Sequence, residues 1–171
     1  VGALFGLADW RYEAVALAAH LEYLQRVCWK AQLTVSMPRL RPAAGEFEPT
    51  HPLADREFIQ LLCALRVTFP GIGIVLSTRE PAPLRDLIAP LGVTMMSAGS
   101  HTEPGGYTGQ GREALHLTVK GKIVPDSGAE AATEQFSISD DRDPRTVQSA
   151  LHRMGLEPVW KDWDEAILSA V

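Results

Sequence analysis

The hydrophobic positions of the chain fall into two alternating patterns. Short apolar runs predict four β-strands, at residues 1–7, 33–37, 72–77 and 93–98. Longer stretches between them carry apolar residues at steps of three and four, which predicts helices at residues 10–30, 54–69 and 83–90. Asp9 precedes the first helix as an expected N-cap. The pattern therefore alternates strand and helix along the chain.

The last third of the chain follows a different pattern. Residues 99–133 are rich in glycine and polar groups. A helix is predicted from Asp143-Pro144 to Gly155, because proline is favoured at the first position of a helix. Residues 157–160 are predicted to be a terminal strand.

Strands that alternate with helices predict a parallel sheet with right-handed crossovers. A doubly wound sheet and part of a (β/α) barrel both fit this α/β pattern. In both architectures ligands bind at the carboxyl edge of the sheet. Polar residues that directly follow the predicted strands should lie at this edge: Asp9, Arg39, Arg41, Arg79, Glu80, Ser97 and Ser100.

Composition narrows the class of protein. The 171 residues suffice for one domain, and the net charge of −5 disfavours nucleic acid as a partner. No apolar run approaches the 18 residues of a membrane span, so no membrane association is expected. The first seven residues already resemble a buried strand, so we expect the chain to be part of a longer protein.

Cysteine and histidine usage excludes two kinds of site. The only cysteines, Cys28 and Cys63, do not make a disulfide framework, which favours a reducing cytoplasm. Both lie on predicted helices and are expected in or near the core. The five histidines lack the spacing of metal ligands, so no metal site is predicted within the chain.

Arg39 and Arg41 stand between prolines after the second predicted strand. Proline favours an extended backbone, in which side chains two residues apart share a side. Two guanidinium groups that face the same way can bind a carboxylate or a phosphate. The alternative is a structural ion pair with Glu46, Glu48 or another loop.

Ser77-Thr78-Arg79-Glu80 follows the most apolar strand. A charge this close to a buried strand needs a partner, which is either a ligand or a protein carboxylate such as Glu80. Beyond the next strand, Ser97-Ala98-Gly99-Ser100 could expose amide hydrogens to an anion, or form only a tight turn.

Four strings, in this order, resemble the tyrosine lyases of the radical S-adenosylmethionine (SAM) superfamily: residues 36–43 (SMPRLRPA), 76–80 (LSTRE), 97–100 (SAGS) and 104–107 (PGGY). Three later strings are similar to the branch of that family that serves thiamine biosynthesis: residues 134–137, 140–142 and 158–163. A lyase of the hydrogenase-maturation branch is the alternative within the family.

The resemblance implies a fold and its limits. It implies the C-terminal half of a radical-SAM (β/α)₈ TIM-type barrel, about strands five to eight, with a C-terminal α/β extension. We expect the half-barrel at residues 1–107, an insertion loop or hairpin at 108–133 and a cap segment at 134–171. The missing N-terminal half-barrel would leave two sheet edges open, so the isolated chain is expected to self-associate.

The resemblance also implies an activity. The family cleaves the Cα–Cβ bond of L-tyrosine to 2-iminoacetate (dehydroglycine) and p-cresol, and the branch passes 2-iminoacetate to thiazole synthase. The cofactors are SAM and a [4Fe–4S] cluster. The Cys-x₃-Cys-x₂-Cys ligands of the cluster are absent here, so they lie outside this chain and the fragment alone is expected to be inactive.

The resemblance assigns expected roles to individual residues. Arg79 is the first choice to bind the substrate carboxylate, with Arg39 and Arg41 next, and Glu80 is expected to orient Arg79. Ser77, Ser97 and Ser100 are expected to hydrogen-bond the substrate or the SAM carboxylate. The first strand and the turn after it, similar to the SAM-adenine motif of the superfamily, give Gly2, Gly6 and Asp9 as SAM-binding candidates.

Two other classes of function remain open at this point. One is a stand-alone module that binds an amino acid or a phosphorylated metabolite through the same arginine-lined edge. The other is a fragment of a sugar-phosphate barrel enzyme, with phosphate held by the loop after the last strand.

Overall fold

A small parallel sheet organises the chain. The computed structural model describes residues 1–40, 48–102, 118–123 and 137–160. Within these, β1 (Thr34–Ser36), β2 (Gly73–Leu76) and β3 (Met95–Met96) lie side by side in the order β1-β2-β3, all parallel. The amino-terminal segment adds a fourth parallel chain beside β1 through isolated bridges, Gly2 to Ser36 and Phe5 to Arg39.

Helices connect the parallel chains, as the alternation predicts. α1 is Trp10–Val27, α2 is Asp55–Thr68 and α3 is Ala82–Ile88, followed by a 3₁₀ turn at Ala89–Leu91. The carboxylate of Asp9 accepts hydrogen bonds from the amides of Arg11 (2.9 Å) and Tyr12 (3.4 Å), so it is the predicted N-cap of α1. α4 is Pro144–Arg153, with Asp143 as N-cap and proline at its first turn.

The core lies on one face of the sheet. Burial alternates along β1 and β2, so that Val35, Met37, Ile74 and Leu76 are buried. They form one cluster with apolar residues of the three helices, among them Leu17, Leu21, Phe58, Leu62 and Ile88. The helices therefore cover the same face, which a barrel requires and a doubly wound sheet does not.

The opposite face, here called the inner face, is only half-buried. Ser36, Val75 and Met95 stand in register across it. A nearly continuous apolar run such as that of β2 is typical of a strand buried on both faces, but in the described part of the chain only one face of β2 is buried. Thr34, Gly73 and Val75 are half-buried because α1, α2 and α3 lie on the other side.

An arginine fixes the amino-terminal edge of the sheet. Arg66 of α2 donates from Nε to the carbonyl of Gly92 (3.1 Å) and from Nη1 to the carbonyls of Pro70 (3.0 Å) and Ile72 (2.9 Å). Gly92 has φ +110°, and a Cβ there would stand 2.7 Å from Arg66 Nε. The glycine is required both by the backbone and by this close approach.

Two further sequence predictions need correction. α1 ends at Val27, three residues earlier than predicted, and Cys28 as its C-cap leaves the buried stripe and is exposed. Cys63 packs against the core as expected. Residues 157–160 form no strand, since they follow the turn after α4 without sheet pairing in the described structure.

A short hairpin lies within the predicted insertion. β4 (Thr118–Val119) pairs antiparallel with β5 (Lys122–Ile123). Lys120 and Gly121 both have positive φ, 51° and 76°, as a two-residue type I′ turn demands. The predicted domain limits near residues 107 and 133 lie outside the described residues and stay a prediction.

Candidate active site

Polar side chains gather where the parallel strands end. β2 continues into Ser77 and Arg79, which are half-buried, while Thr78 and Glu80 between and after them are buried. Ser77 directly follows β2 and continues its alternation, so it belongs to the inner face, whereas Thr78 and Arg79 lie in the turn that comes next. Ser97 lies two residues beyond Met95 on the neighbouring strand and shares that face.

The loop after β3 stays close to this edge. Ser97 donates its amide to the carbonyl of Leu76 (3.0 Å), which continues the parallel pairing by one residue. Gly99 has φ +59° and donates its amide to the carbonyl of Arg142 (3.2 Å). Ser100 is half-buried just beyond it. The structure thus brings Ser77 and Ser97 to one face, with Arg79 in the turn after Ser77 and Ser100 beyond Ser97.

Arg39 and Glu80 meet on the opposite, helix-covered side. Arg39 Nε donates to both carboxylate oxygens of Glu80 (3.0 and 3.1 Å), and Nη2 donates to the same group. Nη1 donates to Asp55 (2.7 Å) and to the carbonyl of Leu53 (2.9 Å). The guanidinium also lies 4.9 Å from the ring centre of Phe58. Arg39 and Glu80 are 6% and 1% exposed.

This environment keeps Arg39 charged. Burial lowers the pKa of Arg39, but hydrogen bonds and attraction to Glu80, with a smaller part from Asp55, raise it above its ordinary value. The carboxylates that pair with Arg39 are Glu80 and Asp55, whereas Glu46, an expected alternative, lies outside the described residues. Binding of substrate by Arg39 or Glu80 stays a prediction, and Arg41 lies outside the described residues.

The glycines proposed for SAM have a packing role. A Cβ on Gly2 would stand 2.8 Å from the carbonyl oxygen of Ser36. Gly6 has φ +127°, and a Cβ there would stand 2.8 Å from Leu40 Cβ. Both positions therefore need glycine for the first chain segment to lie against its neighbour. A role in SAM binding stays a prediction.

A groove of about 410 Å³ opens beside the turn after the first segment, lined in part by Phe5, Gly6, Arg39 and Leu40. The carbonyl of Gly6 accepts the amide of His51 (3.0 Å), which closes the turn from one side. Asp9 is exposed, and its carboxylate caps α1.

A second group of charged residues was missed by the sequence reasoning: Arg85, Asp86, Asp140 and Arg142, called the Arg85 cluster below. Arg85 is fully buried and donates from Nη1 to the carboxylate of Asp140 and from Nη2 to the carbonyl of Ser97. Arg142 donates to both oxygens of Asp86 (2.9 and 3.0 Å) and of Asp140 (2.7 and 2.8 Å).

Electrostatics within the Arg85 cluster follow from burial and pairing. Burial lowers the pKa of Arg85, and Asp140 compensates only in part. Burial also raises the pKa of Asp140, but hydrogen bonds from Arg142 and the charge of Arg85 lower it further, to below its ordinary value. A signal for Arg85 existed in the sequence, since it occupies the apolar stripe of α3 between Leu84 and Ile88.

The described residues do not hold a metal. Among them no group of three or more histidine, cysteine, aspartate or glutamate side chains could bind an ion. Cys28 ends α1 and Cys63 lies on α2, so they cannot replace three cysteines on one loop.

No helix in the described part of the chain has the length and apolarity needed to cross a membrane.

Parallel strands with helices on one face, and polar side chains at their carboxyl ends, define part of a (β/α) barrel. Comparison with known families then identifies the chain more closely. Residues 36–157 match the Biotin and Thiamin Synthesis associated domain, and the chain belongs to this family.

Individual relatives agree with this assignment. The chain is 42% identical over 165 residues to the 2-iminoacetate synthase of Escherichia coli K12 and 41% identical to that of Salmonella typhimurium LT2. The alignments cover 96% of this chain and 39% of each relative, so the chain spans less than half the length of the curated relatives it matches.

Solved structures confirm the predicted fold class. The FeFe-hydrogenase maturase HydG from Carboxydothermus hydrogenoformans superposes with a TM-score of 0.70 at 35% identity. The superposition covers 91% of this chain and 31% of the HydG chain. A second HydG structure gives 0.72 at 30% identity, over 91% and 30% of the two chains. The architecture is that of a C-terminal portion of these barrels.

Proposed function

We propose that the chain is part of a radical SAM lyase that cleaves the Cα–Cβ bond of L-tyrosine to 2-iminoacetate and p-cresol. The observation that carries this proposal is the 42% identity to 2-iminoacetate synthase across 96% of the chain. The remaining length of the relatives would supply the other strands of the barrel and the cysteine ligands of a [4Fe–4S] cluster.

The residues of this chain would bind and orient the substrate. Arg79 is our candidate for the carboxylate anchor, because it lies half-buried in the turn at the carboxyl end of β2, where its amide contacts Ser77 Oγ. Two parallel hydrogen bonds from one guanidinium fix two carboxylate oxygens, and thereby the direction of the amino group. Ser97 and Ser100 would accept or donate hydrogen bonds from the neighbouring strand end.

Arg41 remains a further candidate for the carboxylate. Arg39 and Glu80, which pair on the helix-covered face, would support the strand ends and reach the substrate only if that pair opened. Gly2, Gly6 and Asp9 are proposed to line the SAM site at the turn after the first segment. SAM and the reduced cluster together supply the radical that removes a hydrogen atom from the tyrosine amino group.

The test uses the full-length protein that contains this chain, with its cluster reconstituted under anaerobic conditions. Tyrosine and SAM should give p-cresol, measured by chromatography. Arg79→Lys should raise the tyrosine KM by roughly tenfold or more, because lysine cannot make the bidentate contact. Arg26→Lys, on the exposed face of α1, is the matched control and should leave KM unchanged.

Two results would contradict the proposal. Absence of p-cresol from the wild-type enzyme would remove the tyrosine lyase assignment. An unchanged KM and turnover in Arg79→Lys would remove the anchor assignment alone. Tyrosine binding to the 171-residue chain without SAM, measured by calorimetry, would instead favour a stand-alone binding module.

A second candidate is a tyrosine lyase of hydrogenase maturation. Superposition on two HydG chains with TM-scores of 0.70 and 0.72 favours it. Identity to the 2-iminoacetate synthases is higher, 42% against 35%, which favours the first candidate. For that candidate we further propose thiazole synthase as the acceptor of 2-iminoacetate and the cytoplasm as the location.

A further inference from the structure

Residues 137–142 lie across the carboxyl ends of β2 and β3. The amides of Ser139 and Asp140 both donate to the carbonyl of Thr78, at 3.0 and 3.1 Å. The carbonyl of Arg142 accepts the amide of Gly99 at 3.2 Å. This segment, distant in sequence, is thus bonded to the loop that carries Arg79 and to the loop that carries Ser97 and Ser100.

Buried charges reinforce the same connection. Arg85 reaches from α3 to the carbonyl of Ser97 and to the carboxylate of Asp140, and both side chains are fully buried. Arg142 lies between Asp140 and Asp86 and donates to both carboxylates, so that Asp86 ties the segment back to α3. Among the described residues, the bonds of this group end on α3, on the segment or on the backbone of a loop at the candidate site.

We propose that the Arg85 cluster positions the two substrate loops, and that Arg85, Asp86, Asp140 and Arg142 are positioning residues for the lyase reaction. The inference rests on the proposed function for the identity of the substrate. A buried ion cluster is a poor way to gain stability, because apolar residues of similar volume often stabilise a fold as well or better. Its directional bonds instead fix two backbone carbonyls, that of Thr78, which lies next to Arg79, and that of Ser97, itself a candidate substrate residue.

Arg142→Lys is the informative variant. Lysine keeps the positive charge but cannot donate to Asp86 and Asp140 together, and the site is partly exposed, so the protein should still fold. Asp86→Asn removes the negative charge of the acceptor of these paired hydrogen bonds, so it should change the same measured quantities in the same direction. Arg66→Lys is the matched control, because Arg66 also joins the start of β2 to that of β3 but at the opposite edge of the sheet.

Two readouts are measured on the full-length protein. The first is the tyrosine KM together with the amount of 5′-deoxyadenosine formed per p-cresol, which reports cleavage of SAM without productive attack on tyrosine. Arg142→Lys should raise KM by roughly tenfold and raise this ratio, while kcat changes less, since a small misplacement of the anchor weakens orientation. The second is amide hydrogen exchange, which should accelerate at residues 77–80 and 97–102.

The outcomes separate this inference from the proposed function. If Arg66→Lys, at an equal loss of Tm, raises KM and exchange as much as Arg142→Lys does, the effect is general destabilisation and the inference fails. It also fails if Arg142→Lys leaves both readouts unchanged. If the wild-type enzyme makes no p-cresol, the tyrosine assignment fails, and exchange at the two loops alone decides whether the cluster positions them.

Discussion

Replacing Glu80 by glutamine should cost this fold a large part of its stability. The carboxylate accepts three hydrogen-bond contacts from Arg39, at a position where Glu80 is 1% and Arg39 is 6% exposed. Glutamine has the same shape but no charge, and its amide group turns donors toward a guanidinium that also donates. The substitution therefore leaves the charge of Arg39 buried, and Asp55 is the carboxylate that still pairs with it among the described residues.

The magnitude follows from these contacts. Removing one partner of a buried ion pair costs about 3–5 kcal/mol. Asp55 is 64% exposed in its side chain and is screened by solvent, so it offsets little of this. We expect a loss near the lower limit, about 3 kcal/mol, because the carbonyl of Leu53 still accepts from Arg39. For a chain of this length the Tm should fall by about 6–12 °C.

Urea unfolding followed by circular dichroism, at one chain concentration, measures this loss. Asp55→Asn is the control and should cost about 1 kcal/mol or less, because its ion pair is exposed. The double variant Arg39→Met, Glu80→Met should recover most of the stability, since no charge is left buried. A Glu80→Gln loss no larger than that of Asp55→Asn would refute the reasoning.

Three further outcomes follow from the structure. The pKa of Asp140 lies below its ordinary value of 3.8, so its stabilising contribution is complete above about pH 4 and is lost as the pH falls through that lower value. The difference in unfolding free energy between wild type and Asp140→Asn should therefore shrink in acid, and a difference that stays constant down to about pH 3 would contradict this. Gly2→Ala should destabilise the fold by about 1–3 kcal/mol, because the new Cβ would contact the carbonyl of Ser36. Gly71→Ala is the control and should not destabilise, because its Cβ would have nothing within 4 Å. Equal shifts of Tm in the two variants would count against the packing role of Gly2. The isolated chain should self-associate through the edges at β3 and at the amino-terminal segment, which pair with no further strand among the described residues. A monodisperse monomer in sedimentation velocity would contradict that expectation.

Local signals in the sequence determined the helices and strands, and the edge of the sheet at which the candidate site residues lie. Asp9 caps α1 as predicted, and Asp143 caps α4 at the predicted start of that helix, because a carboxylate satisfies the free amides of a first turn. Gly92 ends the turn after α3 in a left-handed conformation, as expected of glycine. Three of the four apolar runs correspond to β1, β2 and β3, with boundaries wrong by one to two residues, since strand ends depend on neighbouring strands. The fourth run, residues 1–7, pairs only through isolated bridges.

The resemblance of motifs added what local patterns do not contain. The strings around Arg79 and Ser97 indicated the family, and the comparison with 2-iminoacetate synthases confirmed that resemblance. Spacing alone left a doubly wound sheet and a barrel equally open. The one-sided packing of the helices decided between them, and this depends on contacts between elements that are far apart in sequence.

Only the tertiary structure decided how the charged residues are partnered. The position of Arg39 between two prolines predicted either a ligand or a carboxylate of a loop as its partner, yet the structure pairs it with Glu80, 41 residues away. Arg85 and Asp140 are 55 residues apart and meet only because residues 137–142 return to the strand ends. A sequence shows which charges must be paired when buried, but the partner is selected by the fold, because Coulomb attraction depends on distance in space and burial depends on what packs around the pair.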